Sequence, residues 1–320
     1  MNSSNYNKLV LACKNNDLNQ VQTIINVYKE DSIPDNVSDL SELTPIIWAC
    51  NNNSLVVVEL LLASNYSQIG YNNKATWSAL MWACANKSIE IVKLLLATGK
   101  AQPEYQTNDG WSALMVACCY NEPSIVDLLL RTGNAHPEYK NNMGDSALII
   151  SCTVINKYTV DIVKMLIETG ESHPEYQTVG GESAIILACR NTNLELIKLL
   201  IFTNQAHPEY KDSLGFNAFN YGNINTKLYM LKCIRVYNNL KTIIRKIKLI
   251  VKVVNAFRNY DKGKPYSCEM FYLMGLDGME PHQNIEVTDI KTGLKIKINI
   301  QQLKYMKMGY EEYLKYTLNI

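Results

Sequence analysis

The sequence predicts an all-α solenoid of short helical repeats, followed by a basic helix and a small α+β module. Cysteines recur at intervals of 37, 34, 34, 34 and 37 residues: Cys13, Cys50, Cys84, Cys118, Cys152 and Cys189. Related phrases such as WSALMWAC and WSALMVAC end at five of these cysteines, and apolar phrases such as SIVDLLLRTG follow them. A fixed period of this length marks a repeat architecture, because each unit packs on the next in the same way.

Each unit reads as two short helices separated from the next pair by a turn. N-cap residues precede the first apolar phrase at equivalent places: Thr44, Ser78, Ser112, Ser146 and Ser183. Residues that tolerate a left-handed conformation are predicted to stop the second helix: Asn65, Gly99, Gly133, Gly170 and Asn204. Another glycine follows before the next cap: Gly110, Gly144, Gly181 and Gly215. A period of 34 also suits tetratricopeptide repeats, but their two long helices leave no room for these stops and turns.

The phrase NDGWSALMVAC, followed by IVDLLLRTG, resembles the ankyrin pattern, in which TPLHxA opens the first helix. Thr44 and Pro45 keep the usual dipeptide once. Apolar residues replace the histidine of the pattern: Met81, Met115, Ile149 and Ile186. The resemblance covers roughly residues 5–237 and implies antiparallel helix pairs joined by β-turn fingers, with apolar packing in place of the family's Thr–His hydrogen bond.

About seven units are predicted, of which the outer two are degenerate. Their approximate bounds are 5–38, 41–73, 74–107, 108–141, 142–178, 179–212 and 213–237. Residues 238–260 are predicted to form a basic amphipathic capping helix, and residues 261–320 a small α+β module. In that module, IEVTDI and LKIKINI flank Lys291, Thr292 and Gly293 as a β-hairpin would. A helix is predicted to follow it.

The histidines and cysteines are interpreted as packing elements. A Pro-Glu-Tyr motif occurs four times, preceded by Gln102, His136, His173 and His207. Equivalent residues of neighbouring units lie about 8–10 Å apart, whereas zinc binds nitrogen at about 2.0–2.1 Å, so the histidines cannot share one zinc ion. The cysteines are likewise too far apart for disulfides. The tyrosines are expected to pack between adjacent fingers, and no metal and no cofactor are predicted.

The resemblance implies that a partner binds the concave groove formed by fingers and inner helices. The position between the finger glycine and the cap is expected to point into that groove. The predicted partner-binding set combines the residues at this position with two finger-tip residues, Asn108 and Asp109. The full set is Trp77, Asn108, Asp109, Trp111, Asp145, Glu182 and Phe216. In the alternative, the tryptophans lie flat over neighbouring fingers and only stabilise the solenoid. Trp48 and Trp82, inside the inner helices, are predicted to belong to the core.

Charge is distributed unevenly, although the net charge is only +1. Residues 1–212 hold 14 basic and 22 acidic side chains, and residues 213–260 hold nine basic and no acidic ones. Four cations of the basic stretch lie opposite an apolar helical stripe: Lys241, Arg245, Lys248 and Lys252. This helix is interpreted as a cap on the solenoid, as an anionic-membrane contact or as a nucleic-acid patch. Nucleic acid is the weakest of these, because few aromatic residues accompany the cations.

The sequence predicts a cytoplasmic or nuclear protein. Its start lacks the basic region of a signal peptide, and lysines and an arginine interrupt the apolar run 243–257, so no membrane span is expected. Asparagine, isoleucine, lysine and tyrosine are abundant, which is typical of AT-rich genomes. The chain is similar to the many ankyrin proteins of giant amoebal DNA viruses, and this similarity implies a location in the host cytoplasm.

Three hypotheses for function remain open. The first is a monomeric, non-enzymatic scaffold that binds a host or viral protein through its groove. The second is an adaptor whose tail recruits another protein such as ubiquitin machinery, although no Leu-Pro-rich F-box opening is present. The third is an enzyme with its site in the tail, where Cys268, Asp277 and His282 are loose candidates. No nucleophile with its base and no phosphate-binding glycine loop is recognisable, so an enzyme is not predicted.

Overall fold

The computed structural model describes residues 3–28, 43–64, 66–70, 77–154, 156–239 and 241, and the backbone of two strands at 284–288 and 295–299. Two compact units divide the chain, Met1–Cys233 and Ile234–Ile320. The first holds the helical repeats. The second holds the strands, and each unit is described by itself.

The first unit consists of helix pairs stacked in two layers. The helices are α1 (Ser3–Lys14), α2 (Leu18–Val27), α3 (Pro45–Asn51), α4 (Leu55–Leu62), α5 (Ala79–Ala85), α6 (Ile89–Ala97), α7 (Ala113–Cys119), α8 (Pro123–Arg131), α9 (Ala147–Thr153), α10 (Thr159–Glu168), α11 (Ala184–Arg190), α12 (Leu194–Phe202) and α13 (Ala218–Tyr221). Successive odd-numbered helices contact one another, and so do successive even-numbered helices from α2 to α12. Residues 224–233 are also helical. The predicted helical repeat solenoid is confirmed.

The predicted caps begin the odd-numbered helices. The hydroxyl oxygens of Ser78, Ser112 and Ser146 accept hydrogen bonds from backbone N–H groups three residues later, at 3.2, 3.3 and 3.4 Å. Thr44 and Ser183 occupy the same N-cap position, but their side chains make no capping hydrogen bond. The cap residues therefore mark the helix starts correctly, while only part of the set supplies the side-chain bond.

Four even-numbered helices, α6, α8, α10 and α12, end through a threonine and a left-handed residue. Gly99, Gly133, Gly170 and Asn204 have φ values of 67°, 72°, 75° and 63°, as predicted, and Asn65 lies outside the described residues. The threonine before each stop was not predicted. The Thr98 hydroxyl donates to the Leu95 carbonyl at 2.6 Å and accepts from the Lys100 amide at 3.2 Å. Side chain and backbone thus close the helix end together.

The core lies between the two helical layers. All six repeating cysteines are buried and free, and burial raises the pKa of the Cys118 thiol to about 12. Four residues that replace the family's histidine are also buried: Met81, Met115, Ile149 and Ile186. The cysteines are therefore small packing side chains, as the sequence indicates.

Four fingers, residues 106–112, 140–146, 177–183 and 211–217, lie side by side. The amides of Asn142, Val179 and Ser213 donate to the carbonyls of Asp109, Met143 and Gly180 at 2.9, 2.8 and 2.9 Å. We call this series the finger ladder. A Cβ placed on Gly181 would lie 2.6 Å from the Asp212 Cα, so only glycine fits this close approach.

A β-hairpin lies in the second unit. β1 (Asn284–Thr288) pairs with β2 (Lys295–Asn299) in antiparallel register, with Val287 opposite Ile296. The predicted hairpin is confirmed, and its strands are slightly shorter than the sequence pattern suggested. The helix predicted after it lies outside the described residues, as do Cys268, Asp277 and His282. Within the described part of the chain, no helix is long and apolar enough to span a bilayer.

Candidate functional site

All four tryptophans of the chain lie partly exposed in one region, built from fingers and odd-numbered helices. We call the face formed by the four fingers, residues 77–78 and the odd-numbered helices α1 to α13 the inner surface. Trp77 packs against Trp82 of α5 with ring centroids 5.0 Å apart. The Lys14 Nζ lies 5.1 Å from the ring centroid of Trp48 in α3.

The prediction that Trp48 and Trp82 belong to the core holds only in part, because both side chains are partly exposed, although the Trp82 Nε1 is buried. Smaller side chains at the same helix position are almost fully buried: Val116 is 1% exposed, and Ile150 and Leu187 are each 5% exposed. An indole is too large for that space and extends onto the inner surface. The two tryptophans therefore add aromatic area to the candidate site.

Trp111 sits at the base of the finger 106–112. Its carbonyl accepts from the Thr107 amide at 3.0 Å, and its own amide donates to the Thr107 hydroxyl at 3.1 Å. The backbone of Trp111 is thus fixed while its indole remains partly exposed. At the finger tip, Asn108 and Asp109 have exposed side chains, and their carbonyls accept hydrogen bonds from Asn142.

The two carboxylates after Trp111 differ in their partners. Asp145 accepts a hydrogen bond from the neutral Asn141 amide at 3.1 Å. Glu182 instead pairs with Arg190, whose Nη2 lies 2.5 Å from Oε1. Glu182 was predicted as a partner-binding carboxylate, but its charge is compensated inside the chain. Among the ion pairs of the described residues, Asp145 has no cationic partner.

Arg190 also belongs to an aromatic cluster that the sequence reading missed. Its guanidinium lies 4.5 Å from the ring centroid of Tyr221, and Phe216 meets that ring edge-on at 6.0 Å. The Tyr221 hydroxyl donates to Asp212, and this hydrogen bond is the main cause of a lowered Asp212 pKa. Phe216 remains 46% exposed. The repeat pattern did not indicate this role of Arg190, because the equivalent residues of the four preceding units are uncharged.

The histidines have local partners in their own motif. His173 Nδ1 lies 2.8 Å from Glu175 Oε1, and its ring stacks on Tyr176 with centroids 4.6 Å apart. His136 and His207 repeat the arrangement with their own glutamates and tyrosines. The Lys140 side chain of the preceding finger lies over the Tyr176 ring, with its Nζ 4.2 Å from the ring centroid. In the described part of the chain, no three His, Cys, Asp or Glu side chains lie close enough to hold a metal ion.

Replacing His173 with glutamine is expected to lower the free energy of unfolding by less than about 1 kcal/mol. Gln102 already occupies the same left-handed position, with φ of 49° against 47° for His173. The lost pair with Glu175 is partly exposed and therefore weak. Urea unfolding followed by circular dichroism tests this expectation, and a loss of several kcal/mol would show that the histidine has a larger role.

Acid is expected to destabilise the repeats through the motif glutamates. Partial burial raises the pKa of Glu175, but hydrogen bonds from His173 and the backbone outweigh it and lower the pKa overall. A lowered folded-state pKa stabilises the fold above the unfolded value of about 4.3 and loses that effect as pH falls. Urea unfolding near neutral pH and below about pH 4 should therefore show a smaller acid loss for Glu175→Gln. Glu104→Gln, whose motif carries Gln102, should leave the loss unchanged.

The predicted basic surface is described at one residue. The Lys241 Nζ lies 5.9 Å from the ring centroid of Tyr237. Arg245, Lys248 and Lys252 lie outside the described residues. The alternatives for this helix therefore stay predictions.

Comparisons with known proteins agree on the fold. A family model described as ankyrin repeats (3 copies) matches residues 9–106 and 97–173, which together span just over half of the chain. Among solved structures, the ankyrin repeat domain of Bcl-3, a unique member of the IkappaB protein family, has a TM-score of 0.55 and 23% identity over 70% of this chain and 97% of that chain. The human ASB11 ankyrin repeat domain has a TM-score of 0.55 and 21% identity over 70% and 96%.

EF0377, an ankyrin repeat protein, has a TM-score of 0.52 and 25% identity over 61% of this chain and 97% of that chain. No curated protein matches the sequence. The family match and the stacked helix pairs with their fingers lead to one conclusion. The chain belongs to the ankyrin repeat family, whose repeats generally mediate protein–protein interactions and whose members are typically non-enzymatic scaffolds.

Proposed function

We propose that the chain is a non-enzymatic interaction protein that binds a protein partner on its inner surface. The observation that supports this most is the partly exposed position of all four tryptophans on that surface. Tryptophan is enriched among the few residues that dominate binding energy. The proposed contact set remains Trp77, Asn108, Asp109, Trp111, Asp145, Glu182 and Phe216.

The members of this set have different proposed roles. Trp77 contacts Trp82. This contact favours the alternative for Trp77, in which the indole stabilises neighbouring elements of the solenoid. Trp111 is therefore the proposed centre of the site. Asp109 and Asp145 supply negative charge beside it, while Glu182 positions Arg190. Phe216 supplies exposed apolar area at the other end.

An adaptor is the second candidate, because the chain carries a β-hairpin in a unit separate from the repeats. In this version the inner surface holds one protein and residues 261–320 recruit another, such as ubiquitin machinery. The viral assignment is also a proposal, supported by the AT-rich composition. We propose a monomer in the host cytoplasm or nucleus, which gel filtration and imaging of a tagged chain in infected amoebae would test.

Deleting residues 261–320 is expected to leave partner capture unchanged, because the proposed contacts lie in Met1–Cys233. Affinity capture from host lysate with full-length and truncated chains, followed by mass spectrometry, measures this. An adaptor would keep the first partner and lose the second. Loss of every partner on truncation would place the binding site in the tail and contradict the proposal.

A further inference from the structure

Two cations of the chain lie on aromatic rings at opposite ends of the inner surface. Lys14 covers Trp48 at 5.1 Å, and Arg190 covers Tyr221 at 4.5 Å. Each cation is the residue that ends an odd-numbered helix, and each ring belongs to the next odd-numbered helix. The same interaction therefore forms twice in the same register. A cation over an aromatic face is stabilised by the ring quadrupole.

The centre of the inner surface has the rings without the cations. The positions equivalent to Lys14 and Arg190 carry uncharged side chains in the four helices between them: Asn51, Ala85, Cys119 and Thr153. In residues 77–154 and the other described ranges, no lysine or arginine lies over the ring of Trp77, Trp82 or Trp111. The small side chains of Ala85 and Cys119 are partly exposed there.

Negative charge lies beside these rings. Asp109 is at the tip of the finger that carries Trp111, and Asp145 is at the base of the next finger, which is joined to the first by the hydrogen bond from the Asn142 amide to the Asp109 carbonyl. Among the ion pairs of the described residues, neither carboxylate has a cationic partner. Two uncompensated carboxylates beside exposed indoles attract a cation and repel a phosphate backbone.

Arg190 shows how one side chain satisfies both features. It pairs with Glu182 at 2.5 Å and stacks on Tyr221. Glu182 and Asp145 occupy the same place in successive fingers, between the glycine and the cap serine. At Asp145, the helix of the same unit ends in Thr153 instead of an arginine. The carboxylate is thus present where the chain's own guanidinium is absent.

Building on the proposed function, we infer that the partner is a polypeptide segment that inserts an arginine between Trp111 and Asp145. Its guanidinium stacks on the indole and donates to the carboxylate. Arg190 makes the same two kinds of contact within the chain, but its ring, Tyr221, lies in the following unit, whereas Trp111 lies in the finger that precedes Asp145. Arginine suits this site better than lysine, because its planar, weakly hydrated head group stacks and forms paired hydrogen bonds. Apolar neighbours in the segment cover Trp77 and Trp82.

Selection of a random-peptide display library on the full chain tests this inference, with counter-selection on Trp111→Ala. Recovered peptides are expected to be enriched in arginine and to lose about tenfold in affinity when that arginine becomes norleucine, since a charge-assisted bond is lost. Asp145→Asn should cause a similar loss. Asp127→Asn is the matched control, because Asp127 lies on α8 and pairs with Arg131 at 2.9 Å, and it should leave affinity unchanged.

The outcomes separate the inference from the function on which it rests. Trp111-dependent peptides without arginine enrichment, with affinities that ignore Asp145→Asn, would overturn the arginine and leave the inner surface as the binding site. A library that yields no Trp111-dependent peptide would overturn both. If the chain binds single-stranded RNA and Trp111→Ala abolishes that binding, the occupant is a nucleic acid and the arginine inference is overturned. Should Trp111→Ala fail to fold, the isosteric Asp145→Asn variant and the norleucine peptides decide the question.

Discussion

Gly181→Ala is expected to lower the free energy of unfolding of the repeats by about 2–5 kcal/mol, which combines a left-handed backbone cost with overpacking. Gly181 has a φ of 77°, and an added Cβ would lie 2.6 Å from the Asp212 Cα and 2.9 Å from the Ser213 amide nitrogen. These are backbone atoms. They cannot shift away from the added Cβ without lengthening the hydrogen bond from the Ser213 amide to the Gly180 carbonyl in the finger ladder.

Gly133→Ala is the matched control for this prediction. Gly133 has a similar φ of 72°, but no atom lies within 4 Å of its added Cβ. Its substitution should therefore cost only about 1–2 kcal/mol, the backbone contribution alone. Urea unfolding followed by circular dichroism gives the two losses, and hydrogen exchange locates them along the repeats. Equal losses would show that the fingers are free to separate.

Trp111→Ala is expected to weaken partner capture by about 2 kcal/mol or more, as truncation of a hot-spot residue does. This corresponds to an affinity loss of about 30-fold. The indole is partly exposed, and its backbone bonds to Thr107 do not depend on the side chain. The free energy of unfolding should therefore change little. Titration of the captured partner, well below the melting temperature, measures the affinity.

Trp77→Ala provides the contrast, because Trp77 packs against Trp82 within the chain. A residue that only clamps neighbouring elements shows the reverse pattern, in which stability falls by a few kcal/mol and affinity hardly changes. That pattern at Trp77 alone is compatible with the proposal. Finding it at Trp111 as well would exclude the inner surface as the binding site proposed here.

The repeat fold was predictable because its signals are local. Ser78 and Ser112 begin helices through contacts only three residues away, and Gly99 and Gly133 end helices through their own φ angles. Such signals survive in the sequence at a fixed period. The buried cysteines follow from the same period, since one packing position repeats in each unit.

The composition of the candidate site was less predictable, because it depends on contacts between units. The pairing of Glu182 with Arg190, and of Arg190 with Tyr221, joins parts of the chain whose relative positions the sequence alone does not define. Trp48 and Trp82 were predicted to belong to the core because they lie inside the inner helices of their units. Their indoles are larger than the Val116 side chain, which is buried at the equivalent position, so they extend onto the inner surface.

The finger ladder restricts where the chain can change length. The next cap lies thirteen positions after the helix stop in three successive units, from Gly99 to Ser112, from Gly133 to Ser146 and from Gly170 to Ser183. The interval of 37 residues after Cys152 has its added length outside the finger. The connection between the two helices of that unit is longer, since α9 ends at Thr153 and α10 begins only at Thr159. A finger is hydrogen-bonded to its neighbours, so an insertion there would shift it out of line, whereas the connection between two helices of one unit can lengthen without disturbing the array. Foreign peptide loops are therefore best grafted between α9 and α10.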